Sequence, residues 1–421
     1  MESLKRLSVL MLTVFVDMLG FSILFTQLPY YAQSFGASPT MVGILTATFA
    51  MAQLATAPLW GRFSDRYGRR PAILGGLVLS AVGFLLFSFV GSEPVKAILG
   101  NAGALWLLFV CRLAQGAGGG TIGVVQAYVS DSSTPEDRAK VLGWVTAATS
   151  AGVVIGPALG SLAVSFGPAA PGLVAFVLCV VNIASARRWL PESFPNKKTW
   201  GPQKARPSIR RAIREIFAHP STPVATLMWT YAFGMLAFMS LSGPVMVLYL
   251  DRVFGINQKT IGWFFAYVAS ITLIMRALLL GPIVRKFGEV WTVRLGACCV
   301  AAGLLTIPFA HGLAGLAVTA MFMPIGTALL FPTTTSMLSQ RFKAEETGQA
   351  MGVQQAFGGV ARLIGPLWST VAFEHLGMLS PFWIAGSLMV AVCLHTLRIE
   401  AQSRTPEPAP MVHEGETGAT G

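Results

Sequence analysis

Apolar residues run along this chain in stretches of about twenty, separated by short clusters of charge, glycine and proline. A helix rises about 1.5 Å per residue, so about 20 residues cross the hydrocarbon core of a bilayer. The pattern predicts helical spans near 7–28, 41–60, 72–91, 104–128, 139–163, 171–190, 224–248, 260–280, 291–310, 313–337, 348–371 and 378–398. The join near His311 separates two of these by almost nothing. The basic start, Met1 to Arg6, followed by an apolar run resembles a signal peptide. That run, however, carries Asp17 and reaches Pro29 without a small-x-small cleavage site, so it is read as a retained first helix.

The polar breaks have their own pattern. Gly61-Arg62-Phe63-Ser64-Asp65-Arg66-Tyr67-Gly68-Arg69-Arg70 is expected to form a tight charged hairpin between the second and third spans. An altered echo, Gly281-Pro282-Ile283-Val284-Arg285-Lys286-Phe287-Gly288, lies 220 residues later. Val141-Leu142-Gly143 recurs as Ala350-Met351-Gly352 and Gly156-Pro157 as Gly365-Pro366, both at an offset of 209. The chain therefore reads as a duplication. It divides into an N-terminal bundle over 1–190, a proline-rich connection over 191–223, a C-terminal bundle over 224–398 and a tail over 399–421. Within the connection, Ser208–Ala218 alternates basic and apolar residues at helical spacing, as an amphipathic helix on the membrane face would. The Pro/Glu/Gly-rich tail is expected to be disordered.

Charge sets the orientation. With the N-terminus in the cytoplasm, 24 of the 30 Lys and Arg residues fall on the inside, three fall outside (Lys96, Arg252, Lys259), and Arg112, Arg276 and Arg362 fall within spans. This bias predicts an even number of spans with both termini cytoplasmic. It also accounts for the net charge of +12 without nucleic acid, because basic residues beside anionic headgroups are each favourable by about 1 kcal/mol. Composition agrees. The chain is 11% charged and 54% hydrophobic with a mean hydropathy of +0.64, whereas soluble chains are about 25% charged. Its five cysteines all lie in apolar runs, so neither a disulfide framework nor a metal site is implied. No Asn stands in an N-x-S/T context, and no HExxH, GxSxG or Walker sequence occurs, so the sequence supports neither an enzyme nor an ATP-driven pump.

The hairpin resembles the major facilitator signature G-x-x-x-D-R-x-G-R-R/K at Gly61, Asp65, Arg66, Gly68, Arg69 and Arg70. The resemblance implies an all-α integral membrane protein of 12 transmembrane helices in two six-helix pseudo-repeats. It also implies a cytoplasmic charge lock formed by Asp65, Arg69 and Asp131. Arg285 stands where Asp65 would in the second copy, so that lock is expected to be altered or absent. Span 5 carries Gly152, Gly156, Pro157 and Gly160, and resembles the antiporter motif G-x-x-x-G-P-x-x-G-G with Ser161 in place of its last glycine. Small residues four apart also serve ordinary helix packing. Together with Thr134-Pro135-Glu136-Asp137-Arg138, the motif resembles drug/proton antiporters of the tetracycline-efflux type, best over residues 10–165.

Asp17 is the one carboxylate placed deep in a span. An unpaired charge there costs about 2.5–3.5 kcal/mol, so a group that alternates between neutral and charged forms suits a proton carrier. Arg112 is its expected cation. The segment Arg112-Leu-Ala-Gln-Gly116 resembles the family's span-4 motif, whose arginine is associated with proton coupling; a structural pair without titration is the competing reading. Gln53, Gln126, Trp229, Tyr231, Gln354 and Arg362 are candidate cavity residues. Arg276 is near enough to the inner surface to snorkel there. Arg362 either faces the cavity, favouring an anionic or zwitterionic substrate, or pairs with backbone carbonyls or Asp17. The resemblance implies proton-coupled export of a small amphipathic compound, drug or tetracycline-like, by alternating access, powered by a proton gradient with no cofactor. The partners are the substrate, protons and lipid, and the expected state is a monomer in a bacterial inner membrane. An importer or uniporter of a small metabolite is the alternative on the same fold.

Overall fold

The computed structural model describes residues 2–90, 92–133, 135–193, 214, 216–220, 222–342 and 344–399. Most of the 191–223 connection, most of the amphipathic helix expected over 208–218, Thr134, and the tail beyond 399 lie outside the described residues. Every predicted span falls on helix, and no strand occurs among the described residues.

The first seven helices are α1 (Glu2–Ser34), α2 (Pro39–Tyr67), α3 (Arg69–Val90), α4 (Glu93–Gly119), α5 (Ile122–Ser132), α6 (Pro135–Val164) and α7 (Ala170–Trp189). Then follow α8 (Pro223–Leu241), α9 (Pro244–Phe254), α10 (Ile261–Ile274), a π-helical turn (Met275–Leu279), α11 (Leu280–Thr306), α12 (Gly312–Ala320), α13 (Phe322–Ser339), α14 (Ala344–His375) and α15 (Ser380–Thr396). Among the described residues, 10 stretches are long and apolar enough to cross a membrane. One of them, Ile261–Phe309, is 49 residues long and covers two predicted spans; it is interrupted by the π turn and by non-helical Gly288. The last predicted span is the shorter Ser380–Thr396.

The structure departs from the sequence reading at three spans. Spans predicted as single helices over 104–128, 224–248 and 313–337 are each two helices, α4/α5, α8/α9 and α12/α13. Breaks of this kind free backbone groups inside a bundle and mark the helices that line substrate paths in transporters.

By internal packing the chain forms two units. The first comprises Met1–Thr199, Ser240–Ser270 and Leu363–Pro381. In it α1 packs on α6 and α7, α3 on α4 and α7, and α2 on α4. Ile23, Leu24, Leu28, Leu45, Phe84 and Phe87 are buried at its centre. Lipid tails are as apolar as these side chains, so close packing rather than water exclusion holds such helices together. The second unit comprises Trp200–Met239, Ile271–Arg362 and Phe382–Gly421. Here α11 packs on α13, and Met275, Ala328 and Leu329 are buried together.

Candidate functional site

The predicted hairpin is mostly helix. α2 continues to Tyr67 and α3 begins at Arg69, so Gly68 alone makes the reversal, at φ 111°. Nothing between residues 61 and 67 breaks a helix, and their charges mark only the depth at which α2 leaves the apolar layer. Gly61 is expected to permit close approach, yet a Cβ built on it meets nothing within 4 Å. At Gly68 the same test brings a Cβ to 2.5 Å from a carboxylate oxygen of Glu192.

Around that turn, a polar node joins four segments. The Arg69 side chain is only 7% exposed. Its Nη1 donates to Asp65 Oδ1 at 2.7 Å and to Ser64 Oγ at 2.9 Å, and its Nε donates to Asp131 Oδ2 on α5 at 2.9 Å. The backbone N–H groups of Arg69 and Arg70 donate to the two carboxylate oxygens of Glu192, at 2.8 and 3.1 Å. Glu192 thus caps the free N–H groups and positive end of α3. Arg70 Nη2 donates to the Arg187 carbonyl, and the Arg66 guanidinium lies 5.3 Å from the Tyr67 ring centroid. Sequence reasoning missed Glu192. Its one signal is an acid in Pro191-Glu192-Ser193, directly after a span and among basic residues.

The span-5 glycines form a stripe against α1. A Cβ at Gly152 would stand 2.5 Å from the Phe15 carbonyl, at Gly156 2.8 Å from that of Leu19, and at Gly160 3.1 Å from that of Ile23. Ser22 Oγ crosses this contact to donate to the Gly152 carbonyl at 3.1 Å. The stripe therefore backs the stretch of α1 that carries Asp17. Pro157 lies inside α6, where its carbonyl approaches Gly262. Ser161, the departure from the motif, accepts from the Gly262 N–H at 2.8 Å and donates to the Gln258 carbonyl at 3.0 Å.

Asp17 and Arg112 do not form the expected pair. Arg112 is 2% exposed; it donates from Nη2 to the Leu24 carbonyl and from Nη1 to Gln115 Oε1, each at 3.1 Å. Leu24 lies seven residues beyond Asp17, about 10 Å along α1. Asp17 is instead within electrostatic reach of Cys179 on α7, the side on which Asn182 donates to the Thr13 carbonyl. The pairing was expected from the two residue types and the span-4 resemblance, neither of which fixes where along α1 the guanidinium reaches.

The predicted cavity residues divide between the units. In the first, Gln53 donates to the Gly119 carbonyl at 3.2 Å, and Gln126 is exposed on α5. In the second, Gln354 and Arg362 lie eight residues apart on α14, with Gly358 between them. A Cβ at Gly358 would stand 3.4 Å from the Tyr231 hydroxyl and 3.9 Å from Arg362 Nη1, so α8 and α14 bring Tyr231 and Arg362 to one place. Trp229 faces elsewhere, stacked on Phe233 at 5.4 Å and edge-on to Phe357 at 5.6 Å. Arg362 makes no ion pair with Asp17 and no carbonyl hydrogen bond among the described residues.

The chain is 28% identical over 413 residues to the tetracycline resistance protein, class C, of Escherichia coli, covering 96% of this chain and 99% of that protein. It is 27% identical over 391 residues to multidrug resistance protein 2 of Bacillus subtilis (strain 168), covering 91% and 92%. A D-xylose-proton symporter structure superposes with a TM-score of 0.73 at 17% identity, covering 96% of this chain and 99% of that one, a likeness of fold. The sequence profile described as Major Facilitator Superfamily matches residues 10–276 and 228–418, and the chain belongs to that family of membrane transporters.

Proposed function

We propose that this transporter exports a small amphipathic compound, drug-like or tetracycline-like, in exchange for protons by alternating access. It would do so as a monomer in a bacterial inner membrane, with both termini cytoplasmic. The observation that carries the reading is the node at Arg69. One nearly buried guanidinium holds Asp65 and Asp131, and Glu192 caps the adjoining turn, so the ends of α2, α3 and α5 and the segment after α7 are tied at one point. Most of this bundle's core is apolar, so a few breakable polar contacts can bias two packings of the same helices. The named relatives supply the substrate class.

In this reading, Asp17 takes and releases the proton. Arg112 holds α1 through the Leu24 carbonyl, two turns from Asp17, and the glycine stripe of α6 lets α1 shift as one body. Gln53, Gln126, Trp229, Tyr231, Gln354 and Arg362 remain the proposed substrate contacts.

Everted vesicles with an acidified lumen test the reading. Adding a transported compound is expected to alkalinise the lumen, and Asp17→Asn to abolish that response while binding persists. Alkalinisation unchanged in Asp17→Asn would remove Asp17 from the mechanism. Substrate flux without any proton movement would favour the uniporter.

A further inference from the structure

The second unit is unusual in how little negative charge it has to offset two arginines inside its spans. It contains no aspartate, and Glu289 is the one glutamate whose side chain is described there. Glu289 is already engaged near the Gly288 turn, accepting from Ser336 Oγ at 2.8 Å and Gln340 Nε2 at 3.0 Å. Arg276 and Arg362 form no ion pair and no hydrogen bond among the described residues. A guanidinium at that depth without a partner is unfavourable, and such residues mark substrate or ion paths.

Arg362 lies beside the Tyr231 hydroxyl, which is in a side chain only 5% exposed. Arg276 sits in the π turn that interrupts the Ile261–Phe309 stretch; one extra residue in such a turn redirects the side chains after it, and π turns recur at functional sites. Arg362 shares one face of α14 with Gly358 and Gln354. Gly358 has no side chain, and so leaves Tyr231 and Arg362 Nη1 adjacent. Gln354 is 1% exposed; its Oε1 accepts from Thr335 Oγ1 at 3.1 Å, while its Nε2 has no partner. The place thus joins a guanidinium group to a phenol hydroxyl, both able to donate. Aromatic rings flank it: Phe331 lies edge-on to Tyr231 at 5.4 Å, and Phe238 lies 6.1 Å from Phe331.

We propose that Arg362 and the Tyr231 hydroxyl form the subsite for an anionic group, carboxylate or similar, on a substrate whose apolar body lies against Phe331 and Phe238. This deepens the transport reading and rests on it for the word substrate. A planar anion accepts paired N–H groups from guanidinium and offsets charge that no described acidic side chain pairs. A cationic compound would meet a like charge here. An anionic lipid headgroup has the same chemistry as a substrate carboxylate, so the test must separate the two.

The full chain in phosphatidylcholine nanodiscs, with no proton gradient, is titrated with three probes that share one body: 2-naphthoate, 2-naphthalenemethanol and 2-naphthylmethylammonium. Binding is read by calorimetry and by the thermal unfolding midpoint. Naphthoate is expected to bind at least about tenfold more tightly than the alcohol, and the ammonium probe least. Arg362→Gln is expected to remove most of that preference without changing the alcohol's affinity, while Arg362→Lys keeps part of it. Without ligand, Arg362→Gln should melt no lower than wild type, because it removes an unbalanced charge, and this keeps a binding loss distinct from misfolding.

Equal affinity for the three probes, preference for the ammonium, no naphthoate response at millimolar concentration, or an unchanged preference in Arg362→Gln would overturn the proposal. Phosphatidylglycerol in the nanodisc displacing naphthoate at trace lipid fractions would assign the site to a headgroup instead. Failure of proton coupling in vesicles leaves this binding result untouched, and failure here leaves the coupling result untouched.

Discussion

The two hairpin turns share a backbone but not a charge pattern. Gly68 and Gly288 both reverse the chain at positive φ, 111° and 79°. Around Gly68 stand Asp65, Arg69 and Asp131. At the corresponding places around Gly288 stand Arg285, Glu289 and, by the 209-residue offset, Gln340. The cation that bridges two carboxylates in the first copy is thus an anion held by a hydroxyl and an amide in the second. Duplication preserved what the fold requires, a glycine turn and a contact to the helix two spans on. It did not preserve the ion pairs, so those belong to whatever the first copy does in addition.

The largest difference is expected at the glycines themselves. Both have backbone conformations that L residues rarely enter, at a cost of about 1–3 kcal/mol. Only at Gly68 would a Cβ also displace the Glu192 carboxylate from two N–H groups, adding about 1–2 kcal/mol. Gly68→Ala should therefore lower the unfolding midpoint of the purified protein and its transport more than Gly288→Ala, where the added methyl meets nothing within 4 Å. Equal effects would mean that Glu192 contributes nothing at the turn.

A smaller effect is expected from Arg69→Gln, about 2 kcal/mol. That lies between the values for exposed and buried pairs, because Arg69 is covered while Asp65 is 54% and Asp131 21% exposed. The loss should appear chiefly as altered transport, with vesicle flux falling more than the thermal midpoint. A double-mutant cycle of Arg69→Gln with Asp131→Asn should give a coupling of about 1 kcal/mol. Additive single effects would reduce the lock to two unrelated contacts.

Much of this was legible in the sequence. Hydrophobic runs located the apolar helices, because passage through a bilayer is written directly into composition. The resemblance of the 61–70 segment to the family signature pointed to a lock of Asp65, Arg69 and Asp131. What failed was everything that depends on rotation or on distant contact. Arg112 reaches α1 at Leu24, about two turns from Asp17, and the two have different neighbours. Glu192 reaches Arg69 from 123 residues away, and no periodicity encodes that meeting. Charges in 61–67 suggested a loop, yet a helix leaving the apolar layer becomes polar without ending. Breaks such as that between α4 and α5, at Gly120-Thr121, fall inside apolar runs whose composition does not change.

The smallest effect tests the second hairpin. Glu289→Gln keeps an oxygen able to accept from Ser336 and Gln340, and removes only the charge. Neither partner is charged, so the variant loses the difference between a charge-assisted and a neutral hydrogen bond, about 0.5–1 kcal/mol. Arg285 is exposed and forms no ion pair with Glu289, so no cation is stranded when the carboxylate goes. Flux in vesicles should be nearly unchanged, in contrast to Arg69→Gln. If Glu289→Gln instead abolished transport while the protein remained folded, the carboxylate itself would be working, and the second turn would be a gate of opposite polarity rather than a retained piece of scaffold.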